Sequence, residues 1–306
     1  MVLRVVTKRT WQSLLSLVGL IVLVFFLARL TGDPSALYLP IDASPESRQE
    51  FAAQNGFDQP VIVQFVRFLA GLTQFDFGTS LRQSRPALTV VLDAFPVTLA
   101  LAVLSMSTAL VLAILIGSLA AWRPNGLFDR IANFLALIGA SAPNFWIAMV
   151  GILVFAVWLR LVPTSGMGGP IYWILPVAVL VLRPLGLIAQ VVRGSMMSAL
   201  SSAYVKTARA KGVHNRSIIF VHALRNAMLP VITVAGDQAA GIINGAVIVE
   251  TIFGFSGIGK LLIDSITYRD FAVLQAAVLI TAVAILVMNI IIDLAYAALD
   301  PRIRFN

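Results

Sequence analysis

The chain has 306 residues, 59% hydrophobic and only 12% charged, about half the roughly 25% charged share of an ordinary globular chain. So few polar groups cannot clothe a soluble fold, and the formal net charge of +8 fits basic loops beside a bilayer, not a nucleic-acid-binding stripe. The absence of cysteine excludes disulfides, thiolate metal sites and a cysteine nucleophile.

A helix needs about 20 apolar residues to cross the hydrocarbon. Six segments qualify: 11–30, 97–122, 131–159, 171–192, 227–249 and 272–294. They lack the period-2 alternation of barrel strands, so the expected fold is an all-α integral membrane protein with six transmembrane helices. The expected organisation is an N-terminus and first span over 1–30, an extracytoplasmic folded loop over 31–96, and a five-helix core over 97–306 with a cytoplasmic loop at 193–226. Basic residues set the orientation. Arg4, Lys8 and Arg9, then Arg123 and Arg130, the six basic residues of 193–226, and Arg302 with Arg304 fall in alternate segments. Those segments hold 13 of the 22 Lys and Arg residues, which places them and both termini in the cytoplasm.

The first span follows a basic stretch, but its apolar run is long for a signal peptide and Ala28-Arg29-Leu30 makes a poor cleavage site. It is expected to remain as a membrane helix. In the outer loop, Ser44-Pro45-Glu46 predicts a helix start: a capping serine, a proline at the first position and an acid at the positive end of the dipole. Pro60 opens a second short helix with an apolar stripe of Val61, Phe65, Phe68 and Leu72, which either lies along the membrane surface or caps the bundle. Pro143 in the third span and Pro230 in the fifth are expected kinks. Arg183-Pro184 is expected to break the fourth span and free carbonyls towards protein or a watery cavity.

Between the fourth and fifth spans, 201–212 has the grammar of a short capped helix. A serine stands at the start, Arg209 and Lys211 occupy the last turn, and Gly212 suits a left-handed C′ position. Ala203, Thr207 and Ala210 are small and share a face. These features fit either a protein-docking helix or a basic loop that sets topology. In the fifth span, Asp237, Gly241, Asn244 and Ile248 share one face at about 100° per residue, and a mid-span carboxylate is costly and usually functional. A pore-lining wall and simple close packing through Gly241 and Gly245 both remain open. Asp237 could meet a cationic substrate group or pair with Arg183, the other mid-span charge.

Gly254-Phe255-Ser256-Gly257-Ile258-Gly259-Lys260 matches seven places of a phosphate-binding loop, but Leu261 stands where Ser or Thr must hold Mg²⁺. A glycine-rich turn is expected there instead. His214 and His222 have no nearby carboxylate or cysteine in sequence, and neither metal ligation, a cofactor nor catalysis is expected.

Tyr204-Val205-Lys206-Thr207-Ala208-Arg209-Ala210-Lys211-Gly212, followed by His222-Ala223-Leu224-Arg225-Asn226, resembles the cytoplasmic EAA loop of permease subunits in ATP-binding-cassette (ABC) importers. Lys206-Thr207 departs from the general Glu-Ala start, but this form is typical of the dipeptide, oligopeptide and nickel permeases in their B-type version. Gly32-Asp33-Pro34, Gly56-Phe57-Asp58-Gln59-Pro60, Asp76-Phe77-Gly78-Thr79-Ser80, Ser141-Ala142-Pro143-Asn144-Phe145-Trp146, Val249-Glu250-Thr251-Ile252-Phe253 and the ending Leu299-Asp300-Pro301-Arg302-Ile303-Arg304 agree with it along nearly the whole chain.

The resemblance implies a type I ABC importer permease fold in a bacterial or archaeal plasma membrane. Tyr204, Thr207, Ala208, Arg209 and Gly212 would form a coupling helix that docks on a separate ATPase. The implied partners are a second homologous permease, two cytoplasmic ATP-binding subunits, an extracytoplasmic substrate-binding protein and membrane lipid, without nucleic acid. Substrates would be peptides or similar small solutes, with nickel, glutathione and opine-like compounds open. At Asp237 the family mostly has an apolar residue. The rival is a self-sufficient secondary transporter in which Asp237 carries a coupling proton.

Overall fold

The computed structural model describes residues 2–30, 32, 34–40 and 42–299, with the backbone alone at 2–14, 36 and 293–299. Asp33, the 300–304 ending with its two arginines, and the side chains of Arg4, Lys8 and Arg9 lie outside what is described. The described chain is mostly helical, and its one bridge outside helices pairs Thr79 with Pro86. In order come α1 (Val2–Leu30), α2 (Ser35–Tyr38), α3 (Pro45–Asn55), α4 (Val61–Leu72), α5 (Ala87–Trp122), α6 (Leu127–Ser141) and α7 (Asn144–Gly151), which continues as a π-helix, Ile152–Trp158. A 3₁₀ turn, Pro170–Trp173, then leads into α8 (Ile174–Ser201), followed by α9 (Ala203–Ala210) and α10 (Asn215–Ser217). A π-helical stretch, Ile218–Ala223, precedes α11 (Leu224–Phe253), and α12 (Ile258–Thr267) and α13 (Phe271–Leu299) follow.

Among the described residues, four helical stretches are long and apolar enough to cross a membrane: Ala87–Trp122, Pro170–Ser201, Asn215–Phe253 and Phe271–Ile292. A fifth span exists if the bent pair Leu127–Ser141 and Asn144–Trp158 counts as one. That pair corrects the continuous third span expected at 131–159. The second half is bent 110° away from the first, a break and not a kink. Pro143 has no N–H to donate, and it holds Ala142 in extended backbone (φ −101°, ψ 127°).

Arg183-Pro184 departs in the opposite sense. Helix α8 runs through Pro184 without breaking. Pro184 is buried, and Gly139 of α6 lies so close to α8 that an added Cβ would stand 2.8 Å from the Leu182 carbonyl and 2.9 Å from the Arg183 Cα. This packing holds the helix through the proline. Pro230 likewise lies inside a continuous α11.

The chain forms two compact units: one of the chain up to Val97 with Ser256–Leu286, the other of Thr98–Phe255 with the chain from Val287. In the first, α3 starts as the sequence predicts. The Ser47 N–H donates to Ser44 Oγ at 3.2 Å, and Gly56 closes the helix in the left-handed region at φ 70°. The Glu46 carboxyl is held below its usual range by its own backbone N–H and by Ser44. Phe65 and Phe68 of α4 pack on Phe25 of α1, with ring centroids 5.0 and 5.5 Å apart, while Ile62, Val66 and Leu69 stay exposed. Ser80 Oγ donates to the buried Asp270 carboxylate at 2.5 Å, and the Gly78 N–H to Asp76 Oδ1 at 2.8 Å, so the 76–80 landmark is a structural turn.

The second unit is built around α8. Val181, Leu185, Ile188, Val192 and Met196 are buried against alanines of α5, α6 and α11. Small residues let helix backbones approach where lipid offers no competing hydrophobic drive. Gly186 touches the α6 backbone at Leu135 and Ala136, and Gly117 of α5 touches α8 at Ala189 and Val192.

Candidate coupling and pathway sites

Helix α9 is short because both ends are stopped. Ser202 takes the N-cap position in extended backbone (φ −68°, ψ 158°), but its hydroxyl donates back to the Ala199 carbonyl at 2.6 Å and does not cap. The side-chain cap expected of a serine is therefore absent. At the other end the expectation holds in detail. Gly212 is left-handed at φ 74°, its N–H donates to the Arg209 carbonyl at 3.0 Å, and the Val213 N–H donates to Ala208 at 3.1 Å. These two bonds are the Schellman pattern, which satisfies carbonyls that a helix end leaves open.

The helix holds to its own unit through Val205, which is fully buried. Tyr204, Lys206, Thr207 and Arg209 are exposed and Ala208 is half-buried, while Ala203 and Ala210 complete an exposed small-residue face beside Thr207. A partner can therefore approach the backbone without displacing long side chains. Arg209 is not a freely solvated charge, because its guanidinium lies 5.5 Å from the centroid of the Trp122 ring at the end of α5.

Sequence reasoning missed a clasp beside this helix. Asp129, the sole acid of the 123–130 connection, is buried and accepts two bonds from Arg193, Nε to Oδ1 at 2.6 Å and Nη2 to Oδ2 at 3.1 Å. The Asn125 N–H adds a bond of 2.7 Å, and Asn133 links the carboxylate onward to Gln190. Arg193 had counted only as topological charge, yet it ties α6 to α8 less than three turns before α9. A single acid in a basic segment was the available signal, but its partner lies 64 residues away. Removing one partner of a buried pair leaves the other uncompensated. Arg193→Ala is accordingly expected to cost about 3 kcal/mol, seen as a lowered unfolding midpoint of the detergent-solubilised chain, with Arg193→Lys intermediate because it cannot form the bidentate fork.

The second site runs along α11. Thr233, Asp237, Gly241, Asn244 and Ile248 are exposed on one stripe, while Val231, Ala235, Ile242, Ala246 and Val249 are buried on the other side. Gly245 packs tightly, since an added Cβ would stand 2.8 Å from Asn144 Nδ2, but a Cβ on Gly241 would meet nothing within 4 Å. The two glycines expected to pack together thus have separate roles. Arg183 is exposed on α8 and forms no ion pair with Asp237, whose carboxylate accepts a bond from Gln238 Nε2 at 3.2 Å. The glycine-rich segment is a turn over 254–257 that runs into the first turn of α12 at 258–260. Gly254 ends α11 in the left-handed region, and Lys260 reaches Asp264 at 2.7 Å.

Residues 113–305 match the family described as binding-protein-dependent transport system inner membrane component, and residues 2–102 match the N-terminal membrane component of the same systems. The chain is 35% identical over 305 residues to the dipeptide transport system permease protein DppB of Bacillus subtilis, covering 99% of this chain and 98% of that one. It is 38% identical over 306 residues to the glutathione transport system permease protein GsiC of Salmonella paratyphi A, covering 99% and 100%. An inward-facing structure of the MetNI methionine ABC transporter shares the fold, with a TM-score of 0.56 at 15% identity over 69% of this chain and 96% of that one. These matches displace the self-sufficient, proton-coupled reading. The chain belongs to the binding-protein-dependent transport system inner membrane component family, as a multi-pass permease subunit of an ABC importer that works with ATP-binding and substrate-binding partners.

Proposed function

We propose that the chain carries peptides or similar small solutes inward by alternating access, with no substrate bond broken. The relatives' names supply the solute class. Six spans in a type I arrangement follow if α1 and the bent α6–α7 pair each cross once, with both termini cytoplasmic. Such a chain would sit in a bacterial or archaeal plasma membrane beside a second homologous permease, above two ATPases, with a binding protein delivering solute from outside. Its domain plan would be the first span, the folded outer loop 31–96, and the 97–306 core.

The observation that carries this reading is α9: an exposed helix closed by Gly212, standing between the long apolar helices α8 and α11. Tyr204, Thr207, Ala208 and Arg209 would meet the ATPase surface, and Gly212 would fix the end of the docking element. Movement of a docked partner then becomes rotation of the helices on either side, a rigid-body transmission between packed elements. The exposed α11 stripe of Asp237, Gly241 and Asn244 would line the solute route, with Arg183 of α8 a further mid-helix charge beside that route.

Because the chain lacks cysteine, introduced cysteines report topology without background. Ser201→Cys is expected to react with an impermeant maleimide only from the cytoplasmic side, and Ser47→Cys only from outside. In proteoliposomes, ATP-driven dipeptide uptake is expected from the complete complex and not from this chain alone under a proton gradient. Reversed labelling, or uptake by the chain alone, would overturn the proposal.

A further inference from the structure

We infer that the Asp237 carboxylate makes the pathway favour solutes of positive net charge, an inference resting on the α11 stripe being a wall of the solute route. Asp237 lies 13 residues after the start of α11 and 16 before its end, about 20 and 24 Å from either terminus at 1.5 Å per residue. A carboxylate at that depth needs water, a cation or both. Among the described residues no lysine or arginine pairs with it, Arg183 included.

The local geometry leaves the carboxylate available. Gln238 Nε2 donates to Oδ2 at 3.2 Å, which orients the group while leaving most of its acceptor capacity open. One turn towards the C-terminus, Gly241 presents no side chain and open space. One turn the other way, the Thr233 hydroxyl is committed to the Leu229 carbonyl at 3.3 Å. Asn244 adds a neutral amide on the same stripe. A carboxylate with open space at Gly241 and the neutral amides of Gln238 and Asn244 beside it on this stripe suits an ammonium, which a carboxylate binds through short charge-assisted hydrogen bonds. That ammonium comes from a passing solute or from a lysine of the neighbouring permease, and the two sources give different results.

The test uses the complete complex in proteoliposomes, with ATP on the side of the ATPases and the binding protein on the other. Initial uptake of dilysine, dialanine and diglutamate is measured for the wild type, Asp237→Asn and Asp237→Lys, each rate taken relative to the wild type for the same peptide, so that delivery cancels. Asp237→Asn is expected to slow dilysine about tenfold, the scale of one lost charged hydrogen bond, to slow dialanine less and to leave diglutamate within about twofold. Asp237→Lys is expected to invert the order. Equal effects on all three peptides, or none, overturn the inference. Loss of the second permease on purification of Asp237→Asn also overturns it, since the carboxylate would then hold a subunit and not a solute. If the wild-type complex drives none of the three, the peptide reading itself falls, and this inference with it.

Discussion

Gly186→Ala is expected to be among the most damaging single-methyl changes in the chain, although it adds only one carbon to a helix. The added Cβ would stand 2.6 Å from the Ala136 Cα and 2.7 Å from the Leu135 carbonyl of α6. Both are backbone atoms and cannot rotate away, so the two helices must separate. Overpacking usually costs about 1–3 kcal/mol. Here it acts where α8 also meets Gly139 of α6 and Gly117 of α5, so the upper end of that range is expected. Gly194→Ala, on the same helix, is the contrast. Nothing lies within 4 Å of its Cβ position, and alanine favours a helix interior by about 1 kcal/mol over glycine. Unfolding midpoints of the detergent-solubilised variants check this: Gly186→Ala should fall by many degrees, and Gly194→Ala should hold or rise. Similar midpoints would mean that α6 and α8 do not pack backbone to backbone.

Features that depend on neighbours in sequence were legible before the structure. The Gly212 turn, the Ser44-Pro45-Glu46 helix start and the long apolar helices rest on local capping and composition. The shared face of Asp237, Gly241 and Asn244 followed from helical period alone, and all three are exposed together. The prolines were harder, because a proline removes one backbone bond and its surroundings decide the outcome. At Pro143 the chain turns by 110°, while at Pro184 close packing against α6 carries the helix straight through. The Asp129–Arg193 clasp and the cation–π approach of Arg209 to Trp122 were invisible for a different reason. Each joins residues far apart in the chain, and nothing local in either partner names the other.

The second prediction tests coupling through α9. Gly212 occupies φ 74° with open space around its Cβ position, so Gly212→Val acts through backbone strain alone. A left-handed conformation costs a non-glycine residue about 1–2 kcal/mol, with a β-branched one at the high end. That strain bears on the two bonds closing the helix, from Gly212 to Arg209 and from Val213 to Ala208. Ala208→Asp adds a charge to a half-buried position of α9 and leaves every membrane helix unchanged. Both variants should insert normally and lose most substrate-stimulated ATP hydrolysis. Arg209→Ala should lose less, since it removes a helix-end charge worth about 0.3–1 kcal/mol and an exposed ring contact worth about 0.5–1 kcal/mol.

The decisive measurement is stimulated ATP hydrolysis and ATPase retention for these three variants and the wild type, purified as complete complexes from one membrane preparation. Gly212→Val and Ala208→Asp are expected to uncouple or shed the ATPase, with Arg209→Ala in between. Full retention and full stimulation in both Gly212→Val and Ala208→Asp would overturn the coupling role of α9 and leave the 203–212 segment a basic topological determinant only.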